Sequence, residues 1–122
     1  PELSRGLGDV YKRQVVMGHT SCGAIKAACD DFKGGNIGTL IDDIRDAVKN
    51  EKAIVNPEER NSGNANFVDK VCWINVQNQI QQILKDSSLI QKQVKAKQVG
   101  LIGAVLHLNS GQVEFDLKNA LI

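Results

Sequence analysis

Val15-Val16-Met17-Gly18-His19-Thr20-Ser21-Cys22-Gly23-Ala24 is the stretch whose reading decides the fold. It opens as an apolar run of strand character, turns at Gly18 and closes at Gly23-Ala24 with residues that can begin a helix, so a strand-turn-helix step is predicted. Between the glycines stand His19 and Cys22. Imidazole nitrogen and thiolate sulfur are donors that Zn²⁺ prefers in a tetrahedral shell, and a His-x-x-Cys turn at the end of a rigid strand can aim both at one centre. The flanking glycines would let the backbone bend sharply and approach that centre closely. A second reading stays open on spacing alone: a packed thiol beside a solvated histidine, the commoner outcome for so short a motif.

The full string narrows the choice. Gly18-His19-Thr20-Ser21-Cys22-Gly23-Ala24 resembles the Gly-His-Thr-x-Cys-Gly-Ala signature of the β-class carbonic anhydrases, with an apolar strand before it and an Ala-rich helix after it. Val99-Gly100-Leu101-Ile102-Gly103-Ala104-Val105, followed by Asn109-Ser110-Gly111-Gln112-Val113, resembles that family's last parallel strand and the hairpin behind it. Asn75-Val76 resembles the family's helix before that strand. Order and spacing agree, so the resemblance runs from residue 15 to about residue 117.

The resemblance implies an α/β fold: a truncated parallel sheet flanked by helices, ending in an antiparallel edge hairpin. It also implies zinc held by one histidine and two cysteines, with water or a competing aspartate in the fourth position. Such an ion lowers the pKa of bound water from 15.7 to about 7, and the resulting hydroxide hydrates carbon dioxide to bicarbonate and a proton. His19 and Cys22 match two of the three permanent ligands. The family's first ligand belongs to an upstream Cys-x-Asp-x-Arg step, whose Asp and Arg gate the fourth position, and no cysteine precedes Cys22 here. The catalytic pair is therefore unassigned, and a two-donor shell should bind zinc weakly. On this reading the chain is the C-terminal part of the domain, a piece with little or no hydration activity alone, and its first strand exposes a flank normally covered. The full-length parent is expected to be a homodimer or a higher oligomer.

Residues 1–14 read differently from the rest. Pro1 to Gln14 lacks a clear period and runs into the strand with no turn of its own, and it resembles translated adapter sequence, so it is read as a non-native lead preceding a partial domain over 15–122. Removing it takes away three basic and two acidic residues and leaves the remainder formally neutral.

Composition sets the outer limits. The 122 residues suit one domain with a modest core. A net charge of +1 gives no argument for nucleic acid or an anionic membrane surface, and no apolar run nears the roughly 20 residues of a bilayer span. Three scattered cysteines, Cys22, Cys29 and Cys72, favour a reducing compartment over a disulfide framework. A cytoplasmic location is expected, with an organelle or the periplasm left open.

The remaining segments follow from periodicity. A crossover helix is predicted from Gly23 to about Phe32, with Cys29 as a small core thiol: seven residues beyond Cys22 is about 10 Å along a helix, too far for a shared ion. Ile37, Leu40, Ile41, Ile44 and Val48 mark an amphipathic helix whose Asp42, Asp43 and Asp46 form a solvated face. Asn56-Pro57-Glu58-Glu59 reads as a helix start. From Asn66, Val68, Cys72, Val76, Ile80, Ile83 and Leu84 stripe a helix of about five turns. Ser87-Ser88 caps a short helix, Gln98 to Leu108 is a strand covered on both faces, and Gln112 to Leu117 alternates as an antiparallel edge strand. His107 is expected to be satisfied by a neighbour.

Two other classes remain: a non-catalytic zinc-binding scaffold relative of the same fold, and an unrelated nucleotide-binding α/β piece whose glycine-rich turn cradles phosphate. The turn lacks the lysine and Ser/Thr of a phosphate loop and has no Gly-x-Gly-x-x-Gly.

Overall fold

Three strands form one sheet in the order β1, β2, β3. The structure is a computed structural model and describes residues 12–33 and 38–122. Strand β1 (Lys12–His19) is followed by helices α1 (Gly23–Cys29), α2 (Gly38–Asn50), α3 (Ala65–Asp86) and α4 (Ser88–Lys95), then by strands β2 (Val99–Leu106) and β3 (Val113–Phe115). β1 runs parallel to β2 from Lys12↔Val99 to His19↔Leu106, and β3 returns antiparallel on the far side of β2. The α/β architecture expected from the sequence is the one observed. Of residues 1–14, read from the sequence as a lead, residues 1–11 lie outside the described part, and Lys12–Gln14 belong to strand β1.

Helix α3 holds the fold together. Val68, Cys72, Val76 and Ile80 are buried as the stripe requires, and Phe67 and Val71, which the stripe omitted, are fully buried on the flank facing α2. The helix thus separates two cores. One gathers Ile25, Ile41, Ile44, Phe67 and Val71 between α1, α2 and α3; the other gathers Cys72, Val76, Ile80, Leu101 and Val105 against the sheet. Side chains on two sides of one helix explain why a single-sided stripe was too narrow a prediction.

Local signals set the boundaries. The Asn64 side chain accepts the Asn66 N–H at the start of α3, and Ser87 Oγ accepts the Ile90 N–H at the start of α4. Asn56-Pro57-Glu58-Glu59 makes only a single 3-10 turn, Pro57–Glu59, capped by Asn56. In α2, Ile41 and Ile44 are buried as expected, but Leu40 is 52% exposed and Ala47 takes the core position; Ile37 lies outside the described residues. β3 is shorter than the alternation suggested, with Leu117 beyond its end and exposed.

A buried clamp joins α2 to α3. Glu51 is 2% exposed, and its carboxylate accepts the N–H groups of Ala53 and Ile54. The Arg60 guanidinium donates to Glu51 Oε1 at 3.2 Å and to the carbonyls of Val48, Glu51 and Ile54, and it lies 4.7 Å from the Phe67 ring centre. Burying this carboxylate is tolerable only because each of these bonds is made.

Candidate metal half-site

β1 delivers His19 at its C-terminal end, and the chain then turns through Thr20 and Ser21 to reach Cys22, the residue capping α1. The bend falls after Gly18, at Thr20 and Ser21, not at the glycine itself. Gly18 sits within the strand opposite Val105, and the left-handed residue is Ser21, at φ 58°. Gly18 is required for another reason: a Cβ there would stand 2.8 Å from Cys72 Sγ and 3.1 Å from Val76 Cγ2. The missing side chain lets α3 lie against the strand under the turn, so the close approach is to a helix rather than to an ion. A Cβ at Gly23 would meet nothing within 4 Å, so that glycine is required neither for space nor for its backbone angle.

Three further bonds hold the turn. The Thr20 N–H donates to the Leu106 carbonyl at 2.9 Å, extending the β1 ladder by one step. Thr20 Oγ1 accepts the Leu108 N–H at 3.0 Å and ties the turn to the loop that follows β2. The Cys72 thiol donates to the His19 carbonyl oxygen at 3.6 Å from below.

His19 is exposed, and its Nδ1 lies 2.8 Å from the Thr20 carbonyl oxygen. A carbonyl can only accept, so Nδ1 carries a proton, and in the neutral ring the lone pair then lies on Nε2. That is the tautomer in which a histidine ligates through Nε2. Cys22 is half-buried and not in a disulfide. These two donors have the right chemistry for zinc. Among the described residues no group of three or more His, Cys, Asp or Glu side chains could hold a metal ion, so the residues present do not fit a complete shell.

The other cysteines are core thiols, as the helical arithmetic predicted for Cys29. Burial pushes Cys29 up to about 11, with the Asp30 carboxylate adding to the effect. Burial likewise pushes Cys72 up to about 11, helped by the nearby Cys22 and Asp69 charges. Sequence reasoning placed Cys72 in the core stripe but missed that it lies directly under the motif. The signal was available only in three dimensions, through the match between Gly18 and the helix surface.

Behind the turn a cavity of about 510 Å³ is lined by Thr20, Ser21, Asp69, His107, Ser110 and Glu114 among others. His107 Nε2 pairs with Glu114 Oε1 at 3.0 Å, the expected neighbour. On the other side of the turn, β1 has no strand along its second edge among the described residues, and Val15 and Met17 are 46% and 50% exposed.

The comparisons place the chain in a family and agree on its fold. Residues 10–113 match the family described as carbonic anhydrase. Among solved structures, the chain is similar to one of two tetrameric β-carbonic anhydrases from the filamentous ascomycete Sordaria macrospora, with TM-score 0.67 and 19% identity over 97% of this chain and 58% of that one. It is similar to the Coccomyxa β-carbonic anhydrase, solved in complex with acetazolamide, with TM-score 0.65 and 24% identity over 84% of this chain and 46% of that one. A third similar structure is the β-carbonic anhydrase CcaA, with TM-score 0.61 and 15% identity over 93% of this chain and 52% of that one. No curated protein matches. The chain belongs to the β-carbonic anhydrase family, and it spans about half the length of these solved relatives.

Proposed function

We propose that the protein this chain represents is a zinc-dependent carbonic anhydrase interconverting carbon dioxide and bicarbonate, and that His19 and Cys22 are two of its metal ligands. The observation that carries this reading is the turn itself: family-matched residues place an imidazole with a free Nε2 and an unpaired thiol three positions apart at the end of a parallel strand. This chain's residues do three things there. Thr20 fixes the imidazole through its carbonyl and the following loop through its hydroxyl; Gly18 admits α3; Cys72 anchors the His19 carbonyl.

The family's remaining ligand and its Asp-Arg pair have no counterpart in this sequence upstream of Cys22. We read the chain as a partial domain preceded by a non-native lead over residues 1–14, of which Lys12–Gln14 nevertheless pair with β2 and residues 10–14 fall within the family match. The chain as given then binds zinc weakly and turns over little or no carbon dioxide. The parent is proposed to act as a homodimer or a larger assembly, a reading supported by the tetrameric Sordaria enzymes. A non-catalytic zinc-binding scaffold of the same fold is the second reading, favoured by the incomplete donor set.

Zinc titration by calorimetry tests the assignment. One weak site is expected, lost in both His19→Ala and Cys22→Ser. Unchanged stoichiometry in either variant rules the ligand out. Stopped-flow hydration by the zinc-loaded chain at a rate comparable to a full-length relative would contradict the half-site.

A further inference from the structure

Helix α3 and the far end of the β2–β3 hairpin enclose a second cavity. It holds about 420 Å³ and is lined by Trp73, Ile74 and Gln77 from the helix and by Glu114, Phe115 and Asp116 from β3 and the residue after it. It shares Glu114 with the cavity behind the metal turn but touches no residue of the turn itself. No residue lining it is basic. Asp116 is the centre of this site. Its Oδ2 accepts from Gln77 Nε2 at 2.7 Å and from Asn119 Nδ2 at 2.9 Å, its Oδ1 accepts the Asn119 N–H at 3.3 Å, and its own N–H donates to the Gly103 carbonyl at 2.9 Å. Gly103 also leaves room for the Gln77 amide, whose nitrogen would stand 3.0 Å from a Cβ there. Every donor to the carboxylate is a neutral amide, and among the described residues no lysine, arginine or histidine pairs with it. Neutral hydrogen bonds orient a carboxylate without cancelling its charge.

We propose that this cavity binds a small primary ammonium carried on a flat apolar body, an aralkylamine. The volume lies within the range of about 300–1,000 Å³ in which small-molecule sites fall, and its lining of apolar and aromatic side chains with a few fixed polar groups is the usual composition of such a site. Each part of the lining selects a part of the ligand. Trp73, half-buried, and Ile74 offer an apolar wall, and the indole face attracts a cation within about 6 Å of its centre. Ionised carboxylates only accept, so the group that meets Asp116 must donate and is best positive. Glu114 commits Oε1 to His107 and leaves Oε2 for the same charge. An anion of the same shape meets two carboxylates and no compensating cation, and a neutral molecule gains the wall alone. The site takes no part in the proposed zinc chemistry, so its test is independent of that reading.

The test is a nitrogen-15 NMR titration of the full chain, in which Trp73, the single tryptophan, gives one indole N–H signal. Three probes of one shape and different charge are compared: phenethylamine, 2-phenylethanol and 3-phenylpropionate. Phenethylamine should shift the indole signal and the backbone signals of residues 114–116 saturably. The alcohol should bind about tenfold more weakly, the amount set by a hydrogen bond to a charged partner, and the carboxylate should not bind. Asp116→Asn should weaken the amine about tenfold. Because Asp116 also ties the hairpin to α3, Glu114→Gln serves as the second variant: this side chain is 61% exposed, so its exchange leaves the packing intact and should weaken the amine severalfold. Absence of a saturable shift, equal affinity for amine and alcohol, or shifts confined to residues away from Trp73 would overturn the site. Unchanged amine affinity in Glu114→Gln and in a folded Asp116→Asn chain would overturn the part given to the carboxylates.

Discussion

Replacing Gly18 with alanine puts one methyl group into the contact between β1 and α3. Its position is fixed: 2.8 Å from Cys72 Sγ and 3.1 Å from Val76 Cγ2, the first closer than packed carbon and sulfur tolerate. Neither neighbour can swing clear, since Cys72 and Val76 are 4% and 3% exposed and sit mid-helix. Gly18 does not adopt a left-handed backbone, so the cost is steric alone. Overpacking of this kind costs about 1–3 kcal/mol. With roughly 4 °C of melting temperature per kcal/mol for a domain of this size, Gly18→Ala should melt about 4–12 °C early. The assay is a double-mutant cycle by chemical denaturation. Cys72→Ala alone costs about 1 kcal/mol for its lost burial, yet it removes the sulfur that the new methyl strikes. Gly18→Ala/Cys72→Ala should therefore be less destabilised than the sum of the single changes by about 1 kcal/mol or more. Additive losses, or a Gly18→Ala chain within about 0.5 kcal/mol of the parent, would refute the claim that Gly18 exists to admit α3.

Two further outcomes concern stability. Arg60→Ala leaves the buried Glu51 carboxylate without its cation and four acceptor contacts unmade, and should cost about 3 kcal/mol in a denaturant titration, with Arg60→Lys recovering only part. The two core thiols give an alkaline limit: each is raised from 9.0 to about 11 on folding, so the fold holds these protons more tightly than the unfolded chain. Their contribution is complete below pH 9 and is lost as pH rises through about 11, amounting to ~2–3 kcal/mol per thiol. Denaturation midpoints at about pH 8 and 10.5 should differ accordingly, and less so in Cys29→Ser.

Much of the architecture was legible because it depends on local chemistry. Ser87 announced a helix start through its own side-chain bond, Asn109-Ser110-Gly111 announced the hairpin, and the apolar run of β2 announced a strand covered on both faces; the Asn64 cap of α3 was not read from the sequence. What escaped was set by distant partners. Leu40 fits the apolar period of α2, but the neighbouring helices take Ala47 instead. Gly18 looked like a hinge because sequence shows only flexibility, whereas its function is set by Cys72, more than fifty positions later. The Glu51–Arg60 clamp has no sequence signature beyond two opposite charges nine residues apart. At the site, His19 and Cys22 were visible as a pair of donors; the tautomer of His19 and the sulfur beneath the turn were not.

The central claim is that an imidazole nitrogen and one sulfur from this turn capture the same zinc ion. Zinc-edge X-ray absorption on the reduced, metal-loaded chain addresses it directly. One sulfur at about 2.3 Å and one imidazole at about 2.0–2.1 Å are predicted, the sulfur vanishing in Cys22→Ser and the imidazole in His19→Ala. A shell of oxygen and nitrogen alone, or a sulfur that persists in Cys22→Ser, would contradict it.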